Sequence, residues 1–201
     1  MRCLAILLFF NVVCAEQPAE YSPVAGDILV QSFPPSDLTT AIQSCTNSVY
    51  SHCGIVEMKD GKWIVIEAVG PVKETPLTMW IKRGVNGEIL ALRFKEQYTV
   101  KIPEFIKSAN GYLGRPYDMQ MEMDDEKIYC SELVYKAFNN VYHEEIGKTQ
   151  KLGDLNWKPN EKFIKSVEKG PVPLDRIMIT PRAIAESDKM TVVFTSYKLG
   201  S

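Results

Sequence analysis

The feature that most constrains this chain is the stretch from Tyr112 to Val134, YLGRPYDMQMEMDDEKIYCSELV, where an irregular acidic loop becomes a helix at a single cysteine. Leu133, Val134, Ala137, Phe138 and Val141 follow Cys130 at helical spacing, so this helix must bury one apolar stripe against a core. Cys130 then sits in the first helical turn. Unpaired backbone N–H groups and the positive end of the helix dipole favour a thiolate there, and the thiolate is the nucleophilic form of the side chain. The plain alternative is a small buried residue, since free cysteine is among the most buried types.

The elements before this helix supply a sheet. Ser51 to Glu57 (SHCGIVE) and Lys62 to Val69 (KWIVIEAV) are β-rich runs about Lys59-Asp60-Gly61, which predicts an antiparallel hairpin. Further strands are expected over Ile28–Gln31, Glu88–Phe94 and Thr191–Tyr197. Ser36 caps a helix whose Leu38, Ala41, Ile42 and Cys45 face the core, and Ile102 to Leu113 reads as a helix ended by Gly114. Gly70-Pro71-Val72 reads as a turn, and Thr75-Pro76 as the start of a short helix with Leu77, Trp80 and Ile81. Glu144 to Asn160 is a polar surface excursion, followed by helices near Asn160–Lys169 and after Thr180-Pro181. No repeat, low-complexity run or linker divides the chain, so residues 16–201 are expected to form one α+β domain, a mainly antiparallel sheet packed against helices.

Residues 1–15 differ in kind. Arg2 precedes the apolar run Leu4 to Phe10, and Val13 and Ala15 suit cleavage after Ala15, which predicts a signal peptide and a periplasmic or secreted protein. The run is too short for a membrane span, so the mature protein is expected to have none; lipid attachment at Cys14 is a rival reading. Cleavage leaves Cys45, Cys53 and Cys130, and removing Arg2 shifts the formal charge from -2 to -3. An odd count implies one free thiol and at most one disulfide, Cys45 with Cys53 if Cys130 is free. The weak negative charge, without a basic patch, argues against nucleic acid as a partner.

A thiolate hydrolase requires a base, a group that orients the base, and donors for the oxyanion. Only two histidines are present. His143, in Tyr-His-Glu-Glu, suits a solvated helix end, whereas His52 opens a strand and has Glu67 across the hairpin as a partner. Gly54 leaves room for another backbone or a substrate to approach. The bland reading of the pair is a core-edge histidine bonded to a glutamate. A zinc site from His52, Cys53, Cys45 and Cys130 lacks paired short ligand spacings, and no metal or cofactor is expected. Strand alternation directs Cys53 away from the face of His52 and so out of the site. Met119, Met121 and Met123 share a face if extended, which suits loop packing or an adaptable wall for an acyl chain.

The segments SHCGIV, IEAVGPVKETPLTMWI, YLGRPYD and YCSELV, in this order, resemble the permuted papain-fold hydrolases of the NlpC-like superfamily, above all the bacterial YiiX/YaeF-type family. The resemblance runs from Gly26-Asp27 to about Phe138 and extends weakly to Thr180-Pro181-Arg182-Ala183. It implies a circularly permuted papain-like fold, in which the histidine and its polar partner precede the cysteine helix. It further implies Cys130 as nucleophile, His52 as general base and acid, Glu67 as the group orienting the imidazole, and Tyr117 as an oxyanion donor beside the Cys130 N–H. Cys53 departs from the family's pattern. The expected activity is cleavage of an amide or ester through a thioester at Cys130, on a small-molecule, lipid or peptide substrate. Cleavage of cell-wall peptides, acyl transfer, and a binding protein that has lost turnover are the alternatives.

Overall fold

The computed structural model describes residues 20–198, so the expected signal segment, with Cys3 and Cys14, lies outside the described residues. Strand β1 (Ile28–Gln31) is buried along its whole length, and α1 (Asp37–Thr46) follows, its first turn capped by the Ser36 hydroxyl, which accepts from the Thr39 N–H at 3.1 Å. The hairpin comes next: β2 (His52–Lys59) and β3 (Lys62–Ala68) pair with Lys59 opposite Lys62. Asp60 and Gly61 form its turn with φ of 49° and 72°, the left-handed pair that matches the twist of two paired strands.

The chain then departs from expectation. Val72–Pro76, read from sequence as a turn running into a helix, forms strand β4 on the outer edge of β3, with Lys73 opposite Glu67. The free edge of β3 offers it a ladder, and such a tertiary partner overrides a local turn signal. Helix α2 (Leu77–Arg83) starts only after Pro76.

Strand β5 (Leu90–Phe94), α3 (Glu96–Thr99), α4 (Ile102–Asn110) and α5 (Cys130–Tyr142) come next. The excursion after α5 contributes a two-residue strand, β6 (Gln150–Lys151), which pairs with β7 (Ile177–Met178) around α6 (Glu161–Glu168). Helix α7 (Pro181–Ala185) and strand β8 (Met190–Thr195) complete the order. The main sheet runs β4-β3-β2-β1-β5-β8, antiparallel throughout.

Alternation along the strands splits the core into two layers. Ile28, Val30, Cys53, Ile55, Ile66 and Leu92 face α4 and α5, against Phe105, Leu133, Val134, Ala137 and Phe138. Leu29, Val56, Val65 and Ala91 face α2, against Leu77 and Trp80. Burial of each large side chain is worth about 1.5–3 kcal/mol. The stripe predicted on α5 thus anchors the helix and fixes Cys130 at one end of β2.

Candidate active site

His52 is the first residue of β2, and its Nε2 lies 2.6 Å from Glu67 Oε2. Gly54 makes this approach possible: a Cβ there would lie 2.5 Å from Val65 Cγ1 and 3.0 Å from the Ile66 carbonyl oxygen, so the open space serves the neighbouring strand. Glu67 is fully buried. Its Oε1 accepts from the Thr75 hydroxyl at 2.5 Å, and its Oε2 accepts from Arg83. The Arg83 guanidinium lies 5.0 Å over the Phe33 ring, which in turn packs on the His52 ring at 4.2 Å, with Trp80 at 5.8 Å. Imidazole and carboxylate are therefore held from several sides.

These contacts set the ionisation. Burial pushes the Glu67 carboxyl up, but hydrogen bonding and charge from His52, then Thr75 and Arg83, outweigh it and hold the group at about 2. Burial likewise pulls His52 down, but hydrogen bonds to Cys130 and Glu67 and their negative charge leave it above its ordinary value. The imidazolium is favoured beside a thiolate.

Cys130 opens α5 and is 2 % exposed. The helix start is braced on both sides. Glu132 Oε2 accepts from the Tyr129 N–H at 3.2 Å, the Tyr129 hydroxyl accepts from the Ile179 N–H at 3.0 Å, and the Ser131 hydroxyl donates to the Ile179 carbonyl at 2.9 Å. The Cys130 thiol is held well below its ordinary pKa, first by a hydrogen bond from the Cys53 thiol. Burial opposes this, and the hydrogen bond and charge of His52 and the Cys53 N–H reinforce it.

Cys53 thus acts on the Cys130 thiol from the face of β2 that packs on α5. The alternation itself holds, since Cys53 faces α5 with Ile55. But α5 is the element that carries Cys130, and the thiol sits at the strand end, where His52 and Cys53 both reach it. All three cysteines of the described chain are free thiols, so Cys45 and Cys53 form no disulfide here. Cys45 stays on α1, its sulfur 3.5 Å from Asn160 Nδ2.

Tyr117 reaches the same cluster from the loop before α5. Its phenol is pushed well up by burial and then by the charges of Cys130 and Cys53. Asp118 fixes this loop: its carboxylate accepts from the Gln120 and Glu122 N–H groups, and its own N–H donates to the Ile128 carbonyl. His143, in contrast, is exposed at the far end of α5.

Beside Cys130 opens an apolar pocket with a cavity volume of about 80 Å³. Leu38, Ala41 and Ile42 of α1 form one wall, Phe163, Ile164 and Val167 of α6 another, and Cys130 lies in its lining. Met119 and Met121 line it too, but Met121 has φ 56°, so the segment is not extended, and Met123 falls in the neighbouring groove with Val172 and Leu174.

The sequence reading missed Thr75, Arg83, Phe33 and Asp118. Only Thr75 had a legible signal, the β-rich run Val-Lys-Glu-Thr beside a strand. Among the described residues no three His, Cys, Asp or Glu side chains converge as metal ligands, and no helix is long and apolar enough to cross a membrane. A buried thiolate paired with an oriented imidazolium can attack a carbonyl carbon and return a proton to the leaving group.

Comparison with known proteins gives the family. The family model of the permuted papain-like amidase enzymes, YaeF/YiiX, matches residues 22–194. The uncharacterized protein YiiX of Escherichia coli strain K12 is 32% identical over 198 residues, covering 97% of this chain and 98% of that protein. The crystal structure of YiiX from Escherichia coli O157:H7, described as a metalloprotein, superposes with a TM-score of 0.81 at 33% identity, over 89% of this chain and 100% of that one. The α+β architecture, with its histidine strand ahead of its cysteine helix, is therefore the permuted papain-like fold, and this chain belongs to the YaeF/YiiX family of permuted papain-like cysteine amidases.

Proposed function

We propose that the protein is an exported amidase that cleaves an acyl chain from an amide or ester, with Cys130 as nucleophile, His52 as general acid and base, and Glu67 as the group that orients the imidazole. The observation that carries the acyl preference is the apolar pocket that opens at Cys130. In this reading the Cys130 thiolate attacks the carbonyl carbon, and the Tyr117 hydroxyl and the Cys130 N–H donate to the oxyanion. The His52 imidazolium gives its proton to the leaving amine or alcohol, then takes one from water as that water opens the thioester. Thr75 and Arg83 keep Glu67 ionised throughout, which supports its orienting role. Export rests on the leader-like residues 1–15.

The related Escherichia coli structure is described as a metalloprotein. Among the described residues no three-donor set of His, Cys, Asp or Glu converges, so the residues do not fit a resident metal and the steps above use protein groups alone.

A series of N-acyl amides of rising chain length tests the reading. Each added methylene buries about 0.8 kcal/mol, which predicts a rise in kcat/KM of about two- to fourfold per carbon until the pocket is filled. Ile42→Asp and Phe163→Ser should flatten the series. A flat series in the parent protein, with cleavage of a wall peptide containing D-amino acids, would replace the acyl reading with a peptide one.

A further inference from the structure

An ion cluster that the cleavage steps leave unused separates the apolar pocket from the groove beside it. Arg176 immediately precedes β7, and its side chain is only 13 % exposed. Its Nη1 donates to the Gln120 carbonyl at 2.6 Å and to Glu168, and its Nη2 donates to Glu168 Oε2 and to Glu122 Oε1, both at 2.9 Å. Glu168 is the last residue of α6, an end where the helix dipole disfavours a carboxylate, so the guanidinium fork offsets a local conflict as well as a charge. The fork joins α6, with Phe163, Ile164 and Val167, to the loop that carries Met119 and Met121.

The distance from the nucleophile follows from the chain around β7. Ile179 bonds Tyr129 and Ser131, the two neighbours of Cys130. Arg176 lies three residues back from Ile179, at most about 10 Å at roughly 3.3 Å per residue. On one side Arg176 lines the pocket of about 80 Å³ that includes Cys130. On the other it lines a wider groove of about 740 Å³, with Met123, Val172, Leu174 and Ile177 in its wall.

We propose that Arg176 is a specificity-determining residue, its fork being the partition that ends the acyl pocket and limits the length of chain presented to Cys130. This rests on the acyl reading of the pocket and adds the residue that bounds it. A chain long enough to reach the partition must displace a guanidinium bonded to two carboxylates and a carbonyl, and breaking such a poorly hydrated ion cluster costs more than a few added methylenes return. With a small side chain at this position the pocket and the groove join, and a longer chain continues along Met123, Val172 and Leu174.

The test reads Cys130 without turnover. The protein is treated with N-alkylmaleimides from ethyl to dodecyl, and adducts on the Cys130 peptide are followed by mass spectrometry. Each rate is divided by the N-ethylmaleimide rate of the same protein, so any change in the thiol itself cancels. In the parent the ratio should rise about two- to fourfold per carbon and then stop. In Arg176→Ala it should keep rising past that length, so that the longest reagents gain at least about tenfold over the parent ratio. Arg176→Lys keeps the charge but not the fork, so it should move the limit partway, and it decides the matter if melting shows Arg176→Ala to be unfolded. A limit at the parental carbon number in the folded variants, or a loss of rate that is uniform across lengths, would overturn the partition. A parent ratio that is flat with chain length would instead remove the acyl pocket, and the partition with it.

Discussion

Glu67→Gln isolates the electrostatic half of the site. The carboxyl is held at about 2 against an ordinary 4.5, so its surroundings favour the ionised form by about 3 kcal/mol, at about 1.4 kcal/mol per pKa unit. A group depressed in this way stabilises the fold above its unfolded value and loses that contribution as pH falls from about 4.5 to about 2. Glutamine keeps the shape but removes the charge, leaving Arg83 without its carboxylate. Stability at neutral pH should then drop by roughly 3 kcal/mol, and acid sensitivity in that window should flatten. The same change removes one of the two partners that lift His52 against burial, so the imidazolium is disfavoured and the Cys130 thiolate loses its cation. The limb of the alkylation profile should therefore move towards alkaline pH. Iodoacetamide labelling of Cys130 across the pH range, read by mass spectrometry, measures the limb, and urea denaturation measures the stability. Turnover should fall at least about a hundredfold. A labelling profile that superposes on the parent's, with turnover retained, would refute the role given to Glu67.

Tyr117→Phe should lower kcat by about a hundredfold with little change in KM, as expected for a donor felt only in the transition state, and steady-state kinetics would check this. Glu132 is raised to about 7, by burial first, so its stability contribution is full below about 4.5 and is lost as pH rises through about 7. Glu132→Gln should remove that decline of about 3 kcal/mol, visible in urea midpoints measured across pH. Asp27 accepts from Tyr21, the Val24 N–H and Arg93, so Asp27→Asn should cost about 3 kcal/mol in the same assay while leaving Cys130 labelling of the folded protein intact.

The sequence was informative wherever a local pattern decided the outcome. The Asp60-Gly61 turn fixed the hairpin and brought Glu67 diagonally across from His52, and the stripe from Leu133 to Phe138 placed Cys130 at a helix start. What escaped depended on partners distant in sequence. Strand β4 exists because β3 offers an edge, and Thr75 reaches Glu67 only from that strand. Arg83 and Phe33 meet His52 and Glu67 from separate elements, without any spacing that signals it. For Cys53, alternation gave the direction but not which helix covers that face.

The two halves of the site also differ in how early they can assemble. His52 and Glu67 are 15 residues apart on one hairpin, a local pairing with little loop to close. Cys130 comes from far later in the chain and reaches them only when the stripe of α5 docks on β2. Until that late, non-local contact forms, the cysteine has neither imidazolium nor Cys53 beside it and keeps the protonation of an ordinary thiol. A chain emerging from synthesis therefore carries a quiescent sulfur, and reactivity appears only on completion of folding. Rapid labelling of Cys130 during refolding would accordingly time the last docking event of the molecule, not the collapse of its sheet.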